Sequence, residues 1–212
     1  MSTAALPRGR HAAPREVVRE SQRGRLLAAM AEVVGTKGYA AVAVADVIAG
    51  AGVSRKTFYE HFDNKEECFL AAYDAGVELM LGAIDAAIAD ATPGDPLAIA
   101  RAGTARYLEI LAANSAFART FLVEVLAAGP RALERRGRVH ARFAAQLATI
   151  HRVAGGAGSP PAPHVFRACV GAIHELVTDH LLRRGAETLP SLVEDLVEVE
   201  RALLLAPPRA DA

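Results

Sequence analysis

Ala51-Gly52-Val53 interrupts an apolar helical pattern for three residues only, and this corner restricts the fold more than any other feature. Before it, Val44, Val47 and Ile48 fall on one face of a short helix. Gly52 supplies the positive φ that a tight helix–helix corner needs. After it, Ser54 is placed to cap a second short helix running through Phe62. Phe58 and Phe62 are four apart and turn inward together. The pattern predicts a helix-turn-helix.

The outward side of the second helix carries Arg55, Lys56, Thr57, Tyr59 and His61. Such a face suits the DNA major groove. Arg and Lys donate to guanine O6 and N7, and Thr contacts a thymine methyl or a phosphate.

The rest of the chain reads as helix throughout. Apolar residues make up 52% of the sequence, aromatic residues 5%, and Trp is absent. Ala and Leu dominate, while the β-branched and aromatic residues that fill sheets are sparse. A first helix is expected over 15–37, with Leu26, Leu27, Met30, Val33 and Val34 on one stripe and Gly38 as its stop. Further helices are expected at 44–50, 54–62, 65–90, 97–113, 116–128, 131–153, 164–184 and 189–205, about nine in all. Thr92-Pro93-Gly94-Asp95-Pro96, Gly129-Pro130, Gly155 to Pro163, Gly185 and Pro190 separate the later ones. The expected organisation is a disordered basic arm at 1–14, a helix-turn-helix domain at 15–65, a helical effector-binding and dimerisation domain at 66–206, and a disordered tail at 207–212.

Charge divides the chain the same way. Residues 1–65 carry ten basic side chains (Arg8, Arg10, Arg15, Arg19, Arg23, Arg25, Lys37, Arg55, Lys56, Lys65) against six acids (Glu16, Glu20, Glu32, Asp46, Glu60, Asp63). The formal charge of the whole chain is zero, so the net +4 there is balanced by −4 over residues 66–212. A basic end suits a polyanion, and the arginines at 8, 10, 15, 19 and 23 are candidates for a DNA backbone or minor groove. Cys68 and Cys169 sit in helical patterns far apart, as buried thiols do in a reducing compartment. No apolar run approaches the roughly 18 residues that span a bilayer, and no apolar segment follows the polar N-terminus, so a cytoplasmic protein is expected.

The run Ala51-Gly52-Val53-Ser54-Arg55-Lys56-Thr57-Phe58-Tyr59-Glu60-His61-Phe62-Asp63-Asn64-Lys65-Glu66-Glu67 resembles the signature of the TetR/AcrR (tetracycline-repressor-like) family. The match spans Gly38 to about Leu70; beyond it only helix count and chain length agree. The resemblance implies an all-α protein with a three-helix DNA-binding domain ahead of a helical bundle. It implies that Arg55, Lys56 and Thr57 enter the groove behind the Ser54 cap. Tyr59 and His61 would touch phosphates, and Lys65 would add its charge and the positive helix N-terminus behind it. The position before the first short helix, often Thr in the family, is Ala43, which has no hydroxyl for a cap or a phosphate.

Dimerisation is expected through the last two long helices, whose apolar surface exceeds one stripe. Phe166, Val170, Ile173, Val177 and Leu181 form one row, beside Val165, Cys169, Ala172 and Leu176. Leu192, Leu196, Val199 and Leu203 form another. In the resembled family this helix pair is the dimer interface. A palindromic operator then follows, since two reading helices must lie about 34–36 Å apart, or a multiple, to occupy successive grooves.

An effector pocket is expected among the middle helices, lined by Tyr73, Met80, Tyr107, Leu111, Phe117, Phe121, Val125, Phe143 and Leu147. Arg106, Glu124 and Gln146 are its candidate polar groups, and the apolar bias implies a hydrophobic or amphipathic small molecule. The expected partners are double-stranded DNA, a second copy of the chain and that effector, without a cofactor. The alternative is an architectural or constitutive DNA-binding regulator with no effector. Catalysis finds no support: no phosphate-binding loop, dinucleotide fingerprint or nucleophile elbow is present. His174-Glu175 does not extend to a zinc motif because position 178 is Thr, and His174, Glu175, Asp179 and His180 do not share one helix face.

Overall fold

Helix boundaries fall where the chain supplies local stops and caps. The computed structural model describes residues 14–92, 94–153 and 160–205. The expected basic arm (but for Pro14), the expected tail and most of the loop after Gly155 lie outside the described residues.

Helix α1 (Arg15–Lys37) ends at Gly38, whose φ of 80° is open to glycine at no steric cost. A 3₁₀ turn at Tyr39–Ala41 leads to α2 (Val44–Ala51). Then come α3 (Arg55–His61) and α4 (Lys65–Ala89). Helix α5 (Pro96–Ala113) starts with Asp95 accepting from the backbone of Leu97 and Ala98. Helix α6 (Ser115–Leu122) follows at once, capped by Asn114. Helices α7 (Pro130–Val153), α8 (Pro163–Arg184) and α9 (Val193–Glu200) complete the bundle. These nine α-helices and short 3₁₀ and wide turns make up the secondary structure of the described residues. Proline opens α5, α7 and α8 as their first residue, where no backbone N–H is needed.

Two expected helices are broken. The segment 116–128 stops at Leu122, and a 3₁₀ turn, Glu124–Leu126, carries the chain on. That tightening turns Glu124 back onto the residues preceding α2, where its carboxylate finds a backbone donor. The segment 189–205 begins as a 3₁₀ stretch, Ala186–Leu192. Pro190 lies inside it and lacks the N–H an α-helix would use. The α-helix resumes at Val193 and ends in a widened turn at Arg201–Leu205.

One apolar cluster runs from Leu26, Met30 and Val34 of α1 through Phe58 and Phe62 of α3 to Phe69 and Tyr73 of α4. It continues to Leu108, Phe121, Val177 and Leu196 without a gap at residue 65. Close backbone approach makes this continuity possible. A Cβ at Gly35 would stand 2.2 Å from the Ala116 carbonyl oxygen, so α1 and α6 meet only because Gly35 has no side chain. Thr120 Oγ1 donates to the Ala31 carbonyl at 3.0 Å across the same contact.

The row expected at a dimer interface lies largely within the chain, Val177, Leu181 and Leu196 in this core and Phe166 and Val170 in a second apolar cluster with Ala144, Cys169 and Leu204. Phe166, Val170, Val177, Leu181 and Leu196 are buried within the single chain, and Ile173, Leu192 and Val199 are half-buried. Only Leu203 of that set is exposed. The surfaces were assigned by helical spacing, which gives the rows but not which of them faces the same chain's own α5 and α7. On α8 the outward apolar residues are Leu176 and Leu182.

Candidate nucleic-acid interface and internal cavity

Gly52 takes the left-handed conformation, φ 60° and ψ 42°, and turns α2 into α3. Arg25 of α1 holds this corner from behind, its Nη1 donating to the Ala51 carbonyl at 2.8 Å and to that of Gly52 at 3.3 Å. Ser54 Oγ accepts from the Thr57 backbone N–H at 3.0 Å, so α3 starts on a side-chain cap. Inward, Phe58 is fully buried and packs against Phe62, ring centroids 5.9 Å apart.

Outward, Arg55, Lys56, Tyr59 and Glu60 are exposed. Tyr59 is 45% exposed despite its size, and the Arg55 guanidinium lies 5.6 Å from its ring centroid. The Lys56–Glu60 pair spans 3.9 Å in open solvent and restrains little. Thr57 is half-buried and its hydroxyl is shared with Ser54 at 2.9 Å. His61 is half-buried, and desolvation, with Arg19 and Arg23 close by, lowers its pKa. It is therefore a neutral hydrogen-bonding group at pH 7. Arg15, Arg19 and Arg23 are exposed on α1, spaced by four, and Arg23 stacks over Phe62 at 5.2 Å.

Lys65 is placed differently from the rest of the set. Its Nζ donates to the carbonyls of Tyr39 and Val42, both at 2.9 Å, and stands 4.2 Å from the Tyr39 ring centroid. Two of its three protons thus hold the turn before α2, and one remains. The cap of α4 is Asn64, which sequence reading passed over: its Oδ1 accepts from the Glu67 N–H at 3.0 Å. Ala43 opens α2 without a hydroxyl. Asp46 reaches back instead, accepting the Ala43 N–H at 2.8 Å and the Lys37 ammonium at 2.6 Å. Those two donors, Lys37 first, hold its carboxyl below the usual carboxylate range.

The body holds a partly open cavity of about 110 Å³ between α4, α5, α6, α7, α8 and α9. That is several times the space one water needs. Of the expected lining, Tyr107, Phe121, Phe143, Leu147 and Gln146 are on its wall. Tyr73, Met80, Leu111 and Val125 are buried in the core instead. Phe117 packs where a Cβ on Gly76 would stand 2.2 Å from its ring. Arg106 pairs with Glu109 on the surface, and Glu124 serves the 3₁₀ turn at Tyr39.

Beyond Gln146, the polar part of the wall was missed. It comprises Thr104, Glu200, His140, His151 and His174. Thr104 Oγ1 donates to Glu200 Oε1 at 3.0 Å, and the two are 6% exposed each. Burial raises the Glu200 pKa to about 7. His140 and His174 meet edge to face, centroids 4.9 Å apart. Desolvation, then Arg136, lowers them to about 4 and about 3. A signal existed for Glu200, which interrupts the apolar row Val193, Val197, Leu204. The residues weighed as a metal cluster separate: Asp179 pairs with Arg183 at 2.7 Å, and His180 Nε2 with Thr188 at 2.9 Å. Among the described residues no helix is long and apolar enough to cross a membrane.

Residues 26–72 match the family model described as bacterial regulatory proteins, tetR family. The chain is 31% identical over 122 residues to the HTH-type transcriptional regulator EthR of Mycolicibacterium smegmatis. That match covers 56% of this chain and 55% of EthR, so the chain spans about half the length of this curated relative. The fold extends further. The fatty acid degradation regulator FadR from Bacillus halodurans superposes with a TM-score of 0.76 at 19% identity, over 90% of this chain and 97% of that one. FadR from Bacillus subtilis, solved in complex with stearoyl-CoA, superposes with a TM-score of 0.73 at 14% identity, over 83% and 96%. With the helix-turn-helix geometry of α2 and α3 and the nine-helix bundle around them, these matches give one conclusion. Residues 26–72 match the tetR family of bacterial regulatory proteins, and the chain as a whole shares the fold of the regulators it superposes on.

Proposed function

We propose that the chain is a sequence-specific, DNA-binding transcriptional regulator, working as a homodimeric repressor that a small apolar or amphipathic effector releases from a palindromic operator. The observation that carries this reading is the outward face of α3. Arg55, Lys56 and Tyr59 stand exposed on a helix whose start is capped by Ser54 and whose underside is locked by Phe58 and Phe62. A rigid, basic, capped helix end costs little to order on a duplex. Thr57 and His61 add neutral hydrogen-bonding groups beside them, and Lys65 offers its remaining proton to a phosphate.

The effector reading rests on α6 and the turn after it. Phe121 lines the cavity, Thr120 bonds to α1, and Glu124 bonds to the turn before α2. A ligand that displaces Phe121 therefore shifts an element fastened to the DNA-binding helices. To weaken DNA binding tenfold it must favour the displaced state by about 1.4 kcal/mol. Dimerisation through the outward faces of α8 and of the turn that follows α9 is supported by Leu176, Leu182 and Leu203, which are exposed on the single chain. The chain acts by binding alone, in the cytoplasm. An architectural protein without an effector would have no use for a cavity with a built polar wall.

The test is fluorescence anisotropy on the DNA upstream of the chain's own reading frame against a shuffled duplex, at about 0.15 M salt. The expected result is a preference of at least ~10³-fold for the upstream DNA, lost in Lys56→Ala and Tyr59→Ala. Failure to bind any duplex at low salt overturns the reading, and uniform coating of both favours the architectural one. Light scattering checks the dimer.

A further inference from the structure

We propose that the cavity is built for an amphipathic amine, with Glu200 as the counter-ion of its ammonium head and the apolar wall as the seat of its hydrocarbon body. The charge inventory of the wall carries the argument. Among the described residues its one acid is Glu200, and it holds neither Lys nor Arg. Two of its three histidines cannot stand in for a base. His140 and His174 are held neutral by burial. His151 is buried, with an Nδ1 that has no hydrogen-bond partner. Arg136 and Arg167 lie near the His140–His174 pair but are not on the wall. A ligand carboxylate entering here would meet no Lys or Arg, and would face the Glu200 carboxyl. Burying it unpaired is costly.

Glu200 in contrast lacks a partner for charge. Thr104 gives it one neutral hydrogen bond from α5, and Cys169 of α8, whose pKa the Glu200 charge raises, is a buried thiol held protonated chiefly by desolvation. A carboxyl so placed is uncomfortable ionised and empty-handed, and an ammonium N–H relieves it with a charge-assisted bond. The aromatic part of the same wall fits a cation too. Tyr107 and Phe143 meet at 6.2 Å in an edge arrangement, offering a ring face to a positive head. The remaining lining, including Ile84, Ile88, Ile99 and Leu204, takes a hydrocarbon chain. The inference depends on the effector reading only for what ligand entry does to DNA; the ligand class stands on the wall alone.

Three probes with one body and different heads test it: n-octylamine, n-octanol and octanoate, titrated calorimetrically into the full chain at neutral to mildly alkaline pH without DNA. The amine is expected to bind at least ~10-fold more tightly than the alcohol, with octanoate the weakest. Glu200→Gln should bring the amine to within about 3-fold of the alcohol while alcohol binding stays put, which also shows that the variant is folded. Amine affinity should rise from pH 6 to pH 8 as Glu200 loses its proton, the alkylammonium staying charged throughout; alcohol affinity should not. The wild-type ranking needs no variant. Octanoate binding as well as octylamine, equal binding of all three, or no binding of the amine each overturns the proposal. The anisotropy assay is then read separately: an amine that binds without releasing DNA sinks the effector reading and leaves the site assignment intact.

Discussion

Glu124 Oε2 accepts the backbone N–H of Tyr39 at 2.8 Å, tying the 3₁₀ turn after α6 to the 3₁₀ turn before α2 across 85 residues of sequence. The side chain is mostly buried, and its other oxygen lies 3.8 Å from Arg119. A carboxylate bonded to a backbone donor in such a place is worth about 1.5–3 kcal/mol. Glu124→Ala leaves the Tyr39 N–H without its acceptor, and the expected loss of stability in urea unfolding is about 1–3 kcal/mol. Glu124→Gln keeps an acceptor and should lose less than half as much. On the proposed function the Ala variant also binds operator several-fold more weakly, while its affinity for a cavity ligand is unchanged. Equal stability of Glu124→Ala and the wild type would show that this bond does not hold the two turns together.

Two glycines in the same helix should respond with opposite signs. Gly35→Ala puts a methyl 2.2 Å from the Ala116 carbonyl oxygen and 2.4 Å from its Cα, backbone atoms that cannot swing away. The expected cost is about 1–3 kcal/mol, through parting of α1 and α6. Gly24 has open space around its Cβ position and lies mid-helix, so Gly24→Ala should stabilise by about 0.5–1 kcal/mol. Urea midpoints of the two single variants check both at once. A neutral Gly35→Ala would mean that the α1–α6 contact relaxes at no cost.

These contrasts mark what sequence reading reached. Gly38, Gly52 and Ser54 act on residues within a few positions of themselves, and the helices that they stop, turn and cap were read to within a residue or two. Pro96 and Pro130 were legible for the same reason. The split at Val123 was not, because the partner that draws Glu124 out of the helix is 85 residues away. Lys65 was read as a free charge, and only the folded chain brings it to the carbonyls of Tyr39 and Val42. The cavity wall was half legible. Periodicity identifies apolar faces, but burial is non-directional, so nothing separates Tyr107 on the wall from Tyr73 in the packing behind it.

Ser54 allows stability and recognition to be separated. Ser54→Ala removes the acceptor for the Thr57 N–H, and the expected loss is about 1 kcal/mol. Ser54→Asp restores a capping oxygen and a favourable charge at the start of α3, so its stability should match the wild type. The same carboxylate would stand beside Arg55 on the proposed DNA face and repel phosphate. DNA affinity should fall at least ~10-fold in Ser54→Asp while the melting temperature holds. If Ser54→Asp binds DNA as the wild type does, α3 does not approach the duplex through its N-terminal end.

Glu200 and the His140–His174 pair of the cavity wall oppose each other as pH changes. Glu200 has its pKa raised from 4.5 to about 7, so between those values the folded chain keeps a proton that the unfolded chain releases. Its contribution to stability is present below about pH 4.5 and is lost as pH rises towards 7. His140 and His174 behave in the opposite sense, lowered from 6.5 to about 4 and about 3. The unfolded chain takes up protons that they refuse, so stability falls as pH drops below 6.5. Substitution separates the two. The stability of Glu200→Gln relative to wild type should climb between pH 4.5 and 8 by roughly 3 kcal/mol at most, the full shift at 1.36 kcal/mol per pH unit. His174→Gln should instead flatten the acid limb below pH 6.5 and leave the alkaline side unchanged. Urea unfolding at four pH values decides both. A Glu200→Gln difference that is constant with pH would show that Glu200 titrates as an ordinary carboxylate, with water reaching it through the cavity.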